Sequence, residues 1–386
     1  MSTVNEVRGA PLTRTQAWAL LGMGVLSLLS TGVMSALLGA MVDEHRLTSG
    51  GVGYAATLEA LLMALSTGVA SVYFRPVRLR LVGVVATLVL VAANVATTAV
   101  SGQDVYLIRS VAGFAEGVLL WLASSMIVRT DHSTRWAALL FLVLSLVQLA
   151  VSAALGAWTL PRFGAHGGFL LLAALSLIGL VLAALAPARL GPLPGIAGET
   201  HGLPTARGWT ALFATVLLTG ATAAVSIYLV PLGQDAGLSV DSARFALSAG
   251  LAAQIGGSLL ATLLAERLGY LPVFAAVTAG YLGVWGFYSF PTTTWPFVIV
   301  TMASGVVAMF VPPFLLPMLI NADPTRRAAL QAPAAQLLSG GLGPFAAAWA
   351  VEVGGMRLML QLSAALLVAG FIVILLIRQR NVTLAD

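Results

Sequence analysis

GGFLLLAALSLIGLVLAALAP, residues 167–187, carries no charge, and ARLGPLPGIAGETHGLPTARG, residues 188–208, follows it directly. A helix rises about 1.5 Å per residue, so the first stretch matches the roughly 30 Å apolar core of a bilayer. The second is polar and rich in proline and glycine, and reads as a linker between two units. Working outward, five more apolar runs precede it, near 17–41, 53–73, 81–101, 104–128 and 136–158. Six follow, near 209–232, 243–265, 271–290, 296–320, 328–351 and 357–378. The third and fourth runs are separated by a tight turn around Gln103 and Asp104. The first run is too long for a signal-peptide core and reads as a retained helix.

Composition agrees. The chain is 59% hydrophobic and 9% charged, with a mean hydropathy of +0.98. Soluble domains are about 25% charged, so this chain lacks a water-facing coat. The sequence predicts an all-α membrane protein of twelve helices. Its parts would be a six-helix unit over 1–187, a linker over 188–208 and a second six-helix unit over 209–386.

There is no Cys, and all 19 basic residues are Arg. Thiolate nucleophiles, disulfides, Cys metal sites, a phosphate-loop lysine and a Schiff-base lysine are thereby excluded. His45, His132, His166 and His201 fall in four different loops, two on each side, so no metal centre is expected. No Gly-x-Ser-x-Gly occurs, which argues against an intramembrane hydrolase. The sequence calls for no cofactor and no enzyme activity. The net charge of +5 would suit nucleic acid, but the arginines lie mostly in short loops and read as topology signals. With a cytoplasmic N-terminus, fourteen arginines lie inside, four outside and one, Arg109, within a span. Both termini are then cytoplasmic. The Lys-free, Ala/Gly/Leu/Val/Arg-rich usage suggests a bacterium with a GC-rich genome, hence an inner membrane.

The halves repeat. A shift of 191 residues brings Trp18 onto Trp209, and Phe74-Arg75-Pro76-Val77-Arg78 onto Ala265-Glu266-Arg267-Leu268-Gly269. Two parallel six-helix units around a midplane site are a transporter architecture. Leu264-Ala265-Glu266-Arg267-Leu268-Gly269 resembles the loop that follows the second helix of each half in the major facilitator superfamily. In the first half, Arg75–Arg80 keeps the basic residues but lacks the acid and the glycine. Arg109-Ser110-Val111-Ala112-Gly113-Phe114-Ala115-Glu116-Gly117 is similar to that family's fourth-helix Arg-x-x-x-Gly-x-x-x-Gly element, associated there with proton coupling. The family's fifth-helix Gly-Pro element has no match near Gln148–Gly156. A Gly341-Leu342-Gly343-Pro344 run stands in the eleventh span instead.

The resemblance implies a proton-coupled secondary transporter of a small organic molecule, amphipathic, aromatic or a monocarboxylate, working by rocker-switch alternating access. Multidrug efflux and uncoupled diffusion stay open, as does a non-transporting sensor. The implied partners are substrate, protons and lipid, with the chain a monomer. A charge at a helix centre costs about 2.5–3.5 kcal/mol on insertion scales, so Glu59, Arg109 and Glu116 need a reason. They read as a proton relay, or, for Arg109 with Glu59, as a fixed pair tying two helices. The lining helices that the resemblance implies offer Ser30, Met34, Arg109, Trp121 and Tyr228 to substrate, along with Met302 and Met309. Gln254 and Gln336 would either bind substrate or bond between helices, as would Gln148 and Gln331. Arg75, Arg78, Glu266 and Arg267 are gate candidates, with Pro312 and Pro313 at a kink. Small residues at Gly256, Gly257, Ser339, Gly340 and Gly343 suit interfaces that slide between the halves.

Overall fold

The structure, a computed structural model, describes residues 3–4, 12–193 and 202–382; His201 and Arg8 lie outside them. A two-residue ladder pairs β1 (Thr3–Val4) with β2 (Leu12–Thr13), and the rest is helical. The first six spans comprise α1 (Arg14–Asp43), α2 (Ser49–Tyr73), α3 (Leu79–Thr97), α4 (Gln103–Ile127), α5 (Ser133–Ala154) and α6 (Leu160–Ser176) with α7 (Ile178–Leu185). The second six comprise α8 (Ala206–Ile227) with α9 (Leu229–Asp235), α10 (Val240–Leu264), α11 (Tyr270–Tyr288), α12 (Thr294–Phe310) with α13 (Pro312–Ala322), and α14 (Arg327–Val382).

Among the described residues, ten helical stretches are long and apolar enough to cross a membrane. Two of these, of 53 and 52 residues, would reach about 80 Å if straight, far beyond one bilayer. Each turns back at a glycine. Gly164 (φ 60°, ψ −160°) ends the fifth span after a π turn at Leu155–Thr159. Gly355 (φ 71°, ψ −170°) divides the eleventh span from the twelfth. Both φ values lie where only glycine is unstrained. Twelve spans result among the described residues, and the first begins on the face where the last ends, called here the terminal face.

The repeat is visible in the helix bounds. α2 and α10 each hold 25 residues, α3 and α11 each hold 19, and each member of a pair starts 191 residues after its mate. Their caps repeat too. The hydroxyls of Thr13 and Thr205 open α1 and α8, and those of Thr48 and Ser239 open α2 and α10. Each takes a backbone N–H that would otherwise lack a partner.

Glycines set the closest helix approaches. A Cβ on Gly113 of α4 would collide with the Glu59 carbonyl of α2, and one on Gly305 of α12 with the Gly250 carbonyl of α10. Gly257 likewise meets the Val306 carbonyl, and Gly343 the Gly220 carbonyl. Of the small residues expected at sliding interfaces between the halves, Gly257, Ser339 and Gly343 thus pack inside the second half, whereas a Cβ on Gly256 or Gly340 would meet nothing. Close backbone approach there gives tight van der Waals packing where lipid offers no hydrophobic drive.

The first-half loop is held by the chain that follows α7. Leu79 N–H bonds Ala188 O (3.0 Å), Leu190 N–H bonds Pro76 O (2.9 Å), and Arg80 Nε donates to Ala186 O (2.7 Å). Arg78 takes a left-handed conformation (φ 56°) at the start of α3, whereas Gly269, 191 residues on, is extended (φ −71°). The two loops thus differ in backbone as well as in charge.

Candidate functional site

Arg109 is fully buried on α4. Its Nε donates to Glu59 Oε2 (2.9 Å) and its Nη2 to Glu59 Oε1, a two-point pair from α4 to α2. Its Nη1 donates to Asn94 Oδ1 on α3 (2.8 Å). The guanidinium carbon lies 5.6 Å from the Phe169 ring centre on α6. One cation thus ties four spans. Such a forked pair is the strong form of ion pair, and burial makes it costly to break.

Glu116 lies seven residues further along α4, about two turns on. Its Oε1 is 4.0 Å from Arg109 Nη2, and its Oε2 has no hydrogen-bond partner. Ser30 of α1 faces it, but its hydroxyl closes no hydrogen bond either. Glu59, Arg109 and Glu116 are all buried. Two carboxylates therefore share one guanidinium in a dry setting, and one carboxylate oxygen is left over.

Four residues after Glu116, a single turn, comes Leu120. It begins the lining of a cavity of ≈ 170 Å³ between the first and second six spans. Leu120, Ser124 and Ile127 form its α4 wall; Pro312, Pro333 and Gln336 face them from α13 and α14. A second pocket, ≈ 220 Å³, lies wholly in the second six spans and includes Gln254, Tyr281, Trp285, Tyr288 and Ser304.

The bonds between the two sets of spans gather at the terminal face. Arg326 Nη1 donates to Val128 O (2.6 Å) and Thr130 O (3.3 Å). Ser71 Oγ donates to Leu330 O (3.0 Å), and Gln331 Nε2 to Gly68 O (3.0 Å). Glu266 meets His132 Nδ1 (3.0 Å) and Arg135 Nη1 (3.9 Å). Burial pulls the Arg326 pKa down from its ordinary value, while Asp131 works against that shift. Buried Asp323 organises the loop that presents Arg326, accepting from Thr325 Oγ1 (2.7 Å) and from Ala328 N at the start of α14 (2.9 Å).

The structure of the fucose:proton symporter FucP, described as a major facilitator transporter in the outward conformation, superposes with a TM-score of 0.72. It is 13% identical and covers 94% of this chain and 98% of its own. A single-site variant of the E. coli fucose:proton symporter gives 0.71 at 12% identity with the same coverage. The fold is that of the major facilitator superfamily. No family model matches the sequence, and no curated relative matches it.

Within this major facilitator fold the sequence-derived residues separate. Glu59, Arg109 and Glu116 meet, and Ser30 joins them. Met34 lines neither cavity; it packs in an apolar cluster with Leu37 and Phe169. Trp121 is also core, edge-on to Phe74 at 5.7 Å. Tyr228 stands half-buried where α8 hands over to α9 and lines neither pocket. Arg109, with its nitrogens engaged and no exposed surface, has no free edge for a substrate carboxylate. Met302 and Met309 are absent from both pocket walls. The four glutamines divide. Gln148 bonds Leu28 O on α1 (2.9 Å), Gln331 bonds α2 and lines a ≈ 720 Å³ pocket between α2, α8 and α14, and Gln254 and Gln336 line the two smaller pockets. Of the gate candidates, Glu266 bridges the two sets of spans. Arg75, Arg78 and Arg267 are exposed on their loops. Pro312 lines the cavity where α12 gives way to α13, and Pro313 is buried.

Sequence reading missed Asn94, Arg326, His132, Arg135 and the α11 aromatics. Asn94 had a signal, being a polar side chain inside an apolar span. The α11 aromatics had none, because apolar aromatics are ordinary in any span.

Proposed function

We propose that this chain is a proton-coupled secondary transporter of a small organic molecule in a bacterial inner membrane, working as a monomer by rocker-switch alternating access. The arginine bias supports a cytoplasmic terminal face, so the arrangement described is closed toward the cytoplasm. Residues 1–187 and 209–386 would be the two rocking units, joined by 188–208.

The observation that carries the reading is the charge count at α4. With one proton on Glu116, the triad holds one cation and one anion and is neutral. Without it, a net negative charge sits in a dry wall, which is expensive. Glu116 is one turn from the cavity between the units, so rocking at that seam changes the water and charge around it. The proton is taken up in the outward-facing state and released when the seam opens inward. Arg109 and Glu59 hold the site together, and Glu116 exchanges the proton.

Proteoliposomes loaded with a pH-sensitive dye test this. Uncharged aromatics, carboxylates and lipophilic cations would be offered to wild type and to Glu116→Gln. A compound that drives proton movement in wild type and not in the variant supports the reading. Transport with no proton movement in either makes the chain a facilitator and the reading wrong.

A further inference from the structure

The 220 Å³ pocket of the second six spans occupies the position that the ion triad occupies in the first. Gly113 packs on Glu59, and Gly305 packs on Gly250. Glu59 and Gly250 are 191 residues apart. Four residues before each packing glycine stand Arg109 and Thr301, and three after it stand Glu116 and Ala308. Asn94, which holds Arg109, has Trp285 as its mate 191 residues on. Where the first half fills this volume with two carboxylates, a guanidinium and an amide, the second leaves Gly250, Thr301 and Ala308 around an open pocket.

We propose that this pocket holds the substrate, and that the substrate is an uncharged ring-bearing molecule with at least one hydrogen-bond acceptor. The assignment rests on reading the chain as a transporter. Size fits: a cavity of about 150 Å³ takes a benzene ring, and this one is ≈ 220 Å³. Trp285, Tyr281 and Tyr288, all nearly buried, supply aromatic walls. Among the described residues, the Trp285 indole N–H and the Gln254 amide make no hydrogen bond within the protein, while Tyr288 bonds Thr301 (3.0 Å). The pocket therefore offers a ring-stacking wall, the indole donor and the amide, with the hydroxyl residues Thr222, Ser226 and Ser304 beside them.

Charge is what it lacks. No charged side chain lines this pocket or the 170 Å³ cavity. A carboxylate entering either would leave water without gaining a counter-ion. Arg109, fully buried in α4, is bonded to Glu59 and Asn94. A cationic substrate would find no acid in the wall, since Glu59 and Glu116 are enclosed in the other half. Of the substrate classes left open by the sequence, the monocarboxylate fits least.

Three probes share one ring and differ in charge: benzamide, benzoate and benzyltrimethylammonium. Each would be titrated calorimetrically into the purified full chain, and into Gln254→Leu and Trp285→Phe. Benzamide is expected to bind wild type at least about 10-fold more tightly than either charged probe. Each variant is expected to weaken it by roughly 3–10-fold, the worth of one hydrogen bond. Gln254 is half-buried and unbonded, so Gln254→Leu decides alone if Trp285→Phe does not fold. The proposal is overturned if a charged probe binds as tightly as benzamide, if Gln254→Leu leaves benzamide binding unchanged, or if benzamide does not bind up to its solubility. Binding needs no proton movement, so this result is independent of the proton-flux test. Benzamide binding without proton flux leaves a facilitator with this pocket, and proton flux without benzamide binding places the substrate elsewhere.

Discussion

The two halves share a frame and differ in what fills it. In each, the second and fourth spans touch backbone to backbone through a glycine, Gly113 on Glu59 and Gly305 on Gly250. Around the first contact stand Glu59, Arg109, Glu116 and Asn94; around the second stand Gly250, Thr301, Ala308 and Trp285. The second half folds without the charges, so the fold does not require them. Buried charge that the frame does not need is expected to serve function. On the proposed reading, the proton belongs to the first half and the substrate to the second.

Substitutions at matched positions sharpen or break that division. Arg109→Met leaves Glu59 buried without a counter-charge and should destabilise the protein by about 3–5 kcal/mol. Thr301→Val, its counterpart, removes one neutral hydrogen bond to Tyr288 and should cost about 1 kcal/mol. Chemical denaturation in detergent reads both, and equal losses would deny the triad its special status. Next come the glycines. Gly113→Ala and Gly305→Ala each force a Cβ into a carbonyl on the facing helix, and each should cost about 1–3 kcal/mol. A large difference between them would mean that the halves do not share this frame.

A smaller effect belongs to the seam. The chain has no Cys, so a single cysteine at Ser124, in the cavity between the units, gives a clean reporter. Arg326→Ala removes the bonds to Val128 and Thr130, and should raise labelling of that cysteine from the terminal face by about 10-fold. Unchanged labelling would show that Arg326 is no latch. Smallest is Glu266→Gln. Its partners His132 and Arg135 are largely exposed, and exposed pairs are worth about 1 kcal/mol or less. Labelling should rise by no more than about 5-fold; a greater rise than with Arg326→Ala would invert their ranking.

Most of the frame was legible in the sequence because bilayer thickness fixes helix length. The run read as 53–73 is α2 at Ser49–Tyr73, and that read as 271–290 is α11 at Tyr270–Tyr288. The 191-residue repeat, read from a Trp pair and a loop, returns in the bounds of α2 and α10. The triad was legible as well, because charge in a span is rare enough to stand out. What sequence left open was which faces meet. Trp121 and Trp285 look alike in an apolar run, yet one packs on Phe74 and the other lines a pocket. Met34 and Tyr228, read as substrate residues, line neither of the two cavities for the same reason. Gly257 and Gly343 announced close packing but not with which neighbour. The seam was half-visible: Glu266 belonged to a motif, whereas Arg326 reaches backbone carbonyls that no side-chain pattern marks.

In the proposed mechanism Glu116 couples transport to a proton while the second half does the binding. Proteoliposomes holding Glu116→Gln separate these roles, with a neutral ring compound that wild type transports as the tracer. Two rates are compared, tracer exchange at equal concentrations and accumulation driven by a pH gradient. Exchange is expected to stay close to wild type and gradient-driven accumulation to be abolished. Accumulation that survives in Glu116→Gln, or exchange lost along with it in a folded protein, would contradict the division of labour between the halves.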